Sequence, residues 1–108
     1  MNRNFTQTIT VRCGDPDMLI DMLKAWDLQQ ANADIMGYMG TRLLADRANP
    51  GVYVIEADFG VIDPNVSAYE EALRNNDRAE TQEWASDLRE RVDPTPEYHD
   101  YDELYRTG

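Results

Sequence analysis

Basic side chains are scarce in this chain: ten Lys and Arg stand against 21 Asp and Glu, a formal charge of −11 over 108 residues. Such a surface repels phosphate backbones and anionic lipid and offers no basic stripe, so nucleic acid is not an expected partner. The acid reads instead as a well-hydrated surface. Cysteine is scarcer still. The single Cys13 cannot close an internal disulfide, and with no Cys-x-x-Cys it reads as a small residue at a strand end rather than a reactive thiol. One histidine, His99, is present, and no His/Cys/acid set has ligand spacing, so no metal is expected. No apolar run approaches the roughly 20 residues of a membrane span. The start, Met1-Asn2-Arg3-Asn4, leads into no apolar segment of the signal-peptide kind. A cytoplasmic protein without a membrane partner is the expectation.

What the chain does have suits one domain: 42% hydrophobic residues over this length support one modest core, placed at residues 5–96, with a tail over 97–108. Phe5 to Cys13 is rich in β-branched residues. Its alternation puts Phe5, Gln7, Ile9, Val11 and Cys13 on one side and Thr6, Thr8, Thr10 and Arg12 on the other, as a strand does. Asp15-Pro16 then opens a helix, since Asp caps orphan amides and Pro at the first helical position costs no hydrogen bond. Leu19, Met22, Leu23, Trp26 and Ala33 recur at helical spacing, and the helix fades over Asn32-Ala33-Asp34.

Two strand-like runs follow, Gly40 to Asp46 and Val52 to Phe59, joined by Ala48-Asn49-Pro50-Gly51, whose Pro and Gly make a hairpin turn. On the second run Tyr53, Ile55, Ala57 and Phe59 make an apolar face, with Val54, Glu56 and Asp58 opposite. Ser67-Ala68-Tyr69-Glu70 is a capping box, so a helix begins near Ala68. Asp77-Arg78-Ala79-Glu80 repeats the box more weakly, which predicts a break at Asn75 to Asp77 and a second helical piece with Ala79, Trp84, Leu88 and Val92 on one face. Asp93-Pro94-Thr95-Pro96 stops it. In the tail, His99, Tyr101, Glu103 and Tyr105 alternate with Tyr98, Asp100, Asp102 and Leu104. The segment reads either as a last strand or as a frayed acidic end. With the strand, the order is the split βαβ of ferredoxin-like α+β domains, β-α-β-β-α-β, a four-stranded antiparallel sheet with helices on one face.

This order, the segment Gly37-Tyr38-Met39-Gly40-Thr41-Arg42-Leu43-Leu44 with Asn49-Pro50, the strand end Ile55-Glu56-Ala57-Asp58-Phe59, and the later Asn76-Asp77-Arg78-Ala79-Glu80-Thr81-Gln82-Glu83-Trp84 resemble the antibiotic biosynthesis monooxygenase domain family over nearly the whole chain. The resemblance implies a dimeric α+β barrel, with two sheets packed face to face in a homodimer and a pocket between each sheet and its helices. Thr6, Thr8, Thr10, Val54 and Glu56 would then meet the second copy. It also implies oxygenation of a quinol- or polyketide-like aromatic molecule without a cofactor. The oxygenases of the family line the pocket with a strand Trp, often with a nearby Asn. Here those positions hold Phe59 and Ile55, which donate no hydrogen bond. The haem-degrading branch resembles the chain less, because Ser67 to Val92 contains no His.

Cofactor-free oxygenation needs a base to deprotonate an electron-rich phenol and a donor to hold the phenolate. His99 is the one side chain that ordinarily titrates near neutrality, and Tyr53 and Arg42, with Tyr69 and Tyr101, are candidate donors. The candidate substrate wall is Trp26, Met22, Phe59, Tyr69 and Trp84, with Tyr53 at its border. Each has a plainer reading beside it: a structural histidine next to Asp100, and core rings with hydroxyls at the rim. Three functions therefore stand together: a monooxygenase, a non-catalytic binder of an apolar aromatic small molecule, and a structural homodimer with a filled core.

Overall fold

Phe5–Arg12 pairs antiparallel with two partners at once and forms the central strand β1. We analysed a computed structural model that describes residues 3–31, 37–93 and 95–108. The expected fading of the first helix at Asn32 to Asp34, the Ala33 position on its stripe and Pro94 in the stop signal lie outside the described residues. After β1 come α1 (Pro16–Ala31), β2 (Tyr38–Ala45), β3 (Val52–Phe59), α2 (Ala68–Asn76), α3 (Ala79–Arg91) and β4 (Glu97–Asp102). The sheet order is β2-β3-β1-β4 and every pairing is antiparallel. This is the ferredoxin-like α+β fold expected from the order of elements.

Local chemistry explains the boundaries. Asp15 Oδ1 accepts the Asp17 amide at 3.0 Å and caps α1. Ser67 and Glu70 close a full capping box on α2, with the Glu70 amide donating to Ser67 Oγ at 3.0 Å and the Ser67 amide to Glu70 Oε2 at 3.2 Å. The second box does not form. Asp77 instead ends α2, its amide donating to the Leu73 carbonyl, and Arg78 precedes α3 without a side-chain cap. The two helical pieces are separate as expected, but the break lies at Asp77 and Arg78, since Asn75 and Asn76 still belong to α2. The hairpin strand begins earlier than expected, at Tyr38, because a register irregularity between Tyr38 and Gly40 carries the chain into pairing, with Gly40 at φ +134. Gly37, at φ +84, lies so close to Gly60 that a Cβ there would stand 2.1 Å from the Gly60 carbonyl oxygen, while the Gly60 amide donates to the Gly37 carbonyl.

Strand parity sorts the sheet. Phe5, Ile9, Val11, Ile55 and Phe59 face the helices and are buried. Leu19, Met22, Leu88 and Val92 close over Ile9, Val11 and Ile55, and Ala68 and Ala72 of α2 close over Phe5 and Phe59. All three helices thus lie on one side. Across the sheet, Thr6, Thr8, Thr10, Val54 and Glu56 form an uncovered face, where Thr6 Oγ1 donates to Asp58 at 2.7 Å and Arg42 meets Glu56 at 2.8 Å. β4 is an edge strand whose six residues are all exposed. Among the described residues no helix is long and apolar enough to cross a membrane.

Leu88 has no exposed surface, so Leu88→Ala is expected to cost about 2–5 kcal/mol, read as a lower denaturant midpoint at unchanged slope. The hairpin turn is held by Asp46, whose carboxylate accepts from the Asn49 side chain and from the Ala48 and Asn49 amides. These bonds, that of the Asn49 side chain foremost, hold the Asp46 carboxyl below its ordinary value. A lowered carboxyl stabilises the fold above its unfolded value and stops doing so as pH falls through the folded one. Amide exchange at Ala48 and Asn49 is therefore expected to gain relative to the β1 amides below about pH 4. Asp46→Ala should remove that pH dependence.

Candidate functional site

The helix-facing side of the sheet is not packed solid. Between β1, β3 and the helices lies a cavity of about 50 Å³, walled by Ile9, Ile55, Ala57, Leu23, Ala85 and the two tryptophans Trp26 and Trp84. Gln7, Thr41, Asn76, Thr81 and Tyr98 also line it. Its volume is about that of one or two water molecules, well below the roughly 300 Å³ at which drug-sized ligand pockets begin. The cavity lies between the sheet and the helices, the layer in which a pocket was expected.

The sheet–helix geometry builds each wall. Trp26 continues the Leu19, Met22 stripe of α1 and is 7% exposed, and Trp84 projects from α3 so that the indole centroids stand 5.2 Å apart at 49°. Trp84 is locked from behind, its Nε1–H donating to the Met22 carbonyl at 3.0 Å. Thr41 of β2 shares a 2.6 Å hydrogen bond with the Tyr38 hydroxyl, which also reaches Asp27 at 3.5 Å. Burial pushes the Tyr38 hydroxyl up, with the Thr41 bond opposing it. Tyr98 enters from β4, opposite Ile9, and burial raises its hydroxyl too, against the pull of the Arg89 guanidinium beside it. Burial thus favours the protonated form of both phenols.

The structure divides the residues singled out from the sequence. Trp26 and Trp84 line the cavity together. Met22 is core, 8% exposed, and contributes its carbonyl to the Trp84 bond. Phe59 is buried between Phe5 and Tyr38, at 6.3 and 5.7 Å between ring centroids, in the second core cluster. Tyr69 is half-exposed and stacks edge-on against Phe5 at 5.1 Å, beside an open groove at the β4 edge. Tyr53 faces the helices but packs with Cys13 against the Val11 end of the core, away from the cavity lining. The candidate catalytic trio does not come together. His99 pairs with Thr8 and Arg42 with Glu56, both on the uncovered face, with the sheet between them and the tryptophans. There His99 Nε2 stands 3.6 Å from Glu97, and the ring lines an open trough with Thr8, Glu56 and Tyr101. The physical reason is parity: the register of β4 on β1 puts Tyr98 toward the helices and its neighbour His99 away from them.

Gln7, Thr41, Asn76, Thr81 and Tyr98 were not singled out as lining residues in the sequence. Gln7 and Thr81 carry a signal, being polar residues at positions whose neighbours on the same face are apolar. The arrangement defines a class: a ferredoxin-like α+β domain with a small, mostly apolar cavity under its helices and neutral hydrogen-bonding groups around it.

No family model and no curated protein matches the sequence. Solved structures do match. A candidate antibiotic biosynthesis monooxygenase from Nitrosomonas europaea superposes with a TM-score of 0.68 at 14% identity, over 100% of this chain and 97% of that one. SnoaB, a cofactor-independent oxygenase from Streptomyces nogalater, gives 0.68 at 18% identity over 98% and 97%. A candidate antibiotic biosynthesis monooxygenase from Caulobacter crescentus gives 0.66 at 10% over 96% and 92%. The chain has the fold of these structures, so the resemblance read from its sequence holds at the level of fold.

Trp84→Phe keeps an aromatic ring but leaves the Met22 carbonyl without its indole donor. The expected cost is about 1 kcal/mol in stability, with a larger loss in affinity for any aromatic guest. Denaturation midpoints and ligand titration of the same variant separate the two.

Proposed function

We propose that the protein is a cofactor-independent monooxygenase of a flat, quinol- or polyketide-like aromatic molecule, held between the Trp26–Trp84 pair and the β1–β3 face. The observation that carries this reading is the cavity itself, with two indoles on one side, apolar strand residues on the other and neutral donors around it. The likeness in fold to SnoaB supports it. Binding requires the cavity to open, as a minor open state selected by the guest would.

In the reaction, a deprotonated electron-rich ring carbon passes an electron to dioxygen, and the radical pair joins to a peroxide. Loss of water from the peroxide leaves one oxygen on the ring as a carbonyl. The chain supplies confinement and hydrogen bonds to the phenolate oxygen from Gln7, Thr41, Asn76, Thr81 or Tyr98. Among the described residues that line the cavity, none ordinarily titrates near neutrality. The ionisation is therefore the substrate's own, and His99 takes no part. A second reading, binding without turnover, is favoured by that same lining.

The uncovered sheet face, with Thr6, Thr8, Thr10 and Val54, is proposed to receive a second copy in a C2 homodimer. A sedimentation mass of twice 12.4 kDa is expected, and a monomeric mass would remove this part.

An oxygen electrode tests the reaction. With a panel of quinols and anthrones we expect metal- and flavin-independent uptake that rises with pH up to the substrate's own pKa and changes less than about twofold in His99→Ala. Stabilisation by the ligand, about 2.7 kcal/mol at a hundred times its Kd, without uptake would leave the binding reading. Neither effect would end both.

A further inference from the structure

One residue of the cavity lining stands apart from the others. Tyr98 is 44% exposed, whereas every other residue around the cavity is buried or half-buried. Its side chain therefore borders the cavity and the solvent at once. The place of Tyr98 in the sheet explains this. The helices close over β1 and β3, but all six residues of β4 are exposed, so no helix roofs the strand that carries Tyr98. What α3 sends toward it is Arg89, an exposed residue whose guanidinium stands beside the Tyr98 hydroxyl.

We propose that Tyr98 is the access-determining residue of the site: its ring, held by Arg89, shuts the cavity at the β4 edge, and its swing into solvent admits a flat aromatic guest. The inference rests on the sheet–helix site proposed above and adds the route into it. At about 50 Å³ the cavity holds one or two waters and no fused ring system, so a wall has to give when a guest enters. The inner walls are fixed. Trp26 is 7% exposed within the core, and Trp84 is tied through its indole N–H to the Met22 carbonyl. Ile9 and Ile55 sit on strands paired along both sides. Tyr98 sits on a strand paired along one side only. Changing its rotamer gives up the exposed Arg89 contact and leaves the backbone pairing of β4 with β1 untouched.

Both tryptophans of the chain line the cavity, so quenching of their fluorescence reports entry. The full chain is mixed rapidly with 1,8-dihydroxyanthraquinone, a flat probe that absorbs where indole emits. The observed rate should level off as probe concentration rises, because opening then limits entry. Arg89→Met keeps a long side chain without its charge, and the plateau should rise about two- to fivefold, the range that loss of an exposed polar contact allows. In Tyr98→Ala the plateau should disappear, leaving a rate linear in probe, and dissociation should quicken because the ring is also part of the wall. An identical plateau in the wild type and both variants would keep the site and discard Tyr98 as its entrance. A rate already linear in the wild type would discard it as well, since nothing would then gate entry. No quenching in the wild type and variants alike would discard the site together with its entrance. Arg89→Met alters an exposed helix position, so the test does not depend on β4 keeping its place in Tyr98→Ala.

Discussion

The register of β1 on β3 is the constraint from which the rest of the molecule follows. Ile9 opposite Ile55 and Phe5 opposite Phe59 put the phenylalanines and isoleucines of the two central strands on one side. A shift by one residue would send that set to the threonine face and leave the helices nothing to cover. α1, α2 and α3 close on this side because it is the one on which their stripes recover apolar area, at about 25 cal/mol per Å². The cavity is what remains where the stripes converge unevenly: two indoles meet over Ile9 and Ile55, and small or polar residues such as Ala57, Thr41 and Thr81 do not fill the space beneath.

The same parity decides which chemistry is available where. Tyr98 and His99 are adjacent in the chain and lie on opposite sides of the sheet. One brings a phenol to the cavity lining, and the other places the single imidazole among Thr8, Glu56 and Tyr101 on the far side. The cavity is therefore a site of hydrogen bonding rather than proton exchange.

Much of the fold was legible because its signals are local. Ser67 with Glu70, Asp15 before Pro16, and Pro50-Gly51 between alternating runs each fix a boundary through atoms a few residues apart. That a break separates α2 from α3 was legible, though it falls at Asp77 and Arg78, just after the expected Asn75 and Asn76. Its cap was not, since Asp77 serves the end of one helix instead of the start of the next. The site was less legible, because it depends on a non-local register. Alternation alone placed His99 with Tyr101 and Tyr98 with Asp100, but which pair turns toward the helices is settled only when Ile9 meets Tyr98 across some 90 residues of chain.

One further consequence belongs to the outermost strand. β4 offers a row of unpaired backbone groups to solvent, the kind of border along which sheets grow into fibrils. Its side chains include Glu97, Asp100 and Asp102, with Glu103 just beyond. Another molecule laying the same segment alongside in register would stack carboxylate on carboxylate. The acidity that looked like mere solubility in the composition acts here as a fence: it closes the rim to self-addition while the broad threonine surface stays open to approach.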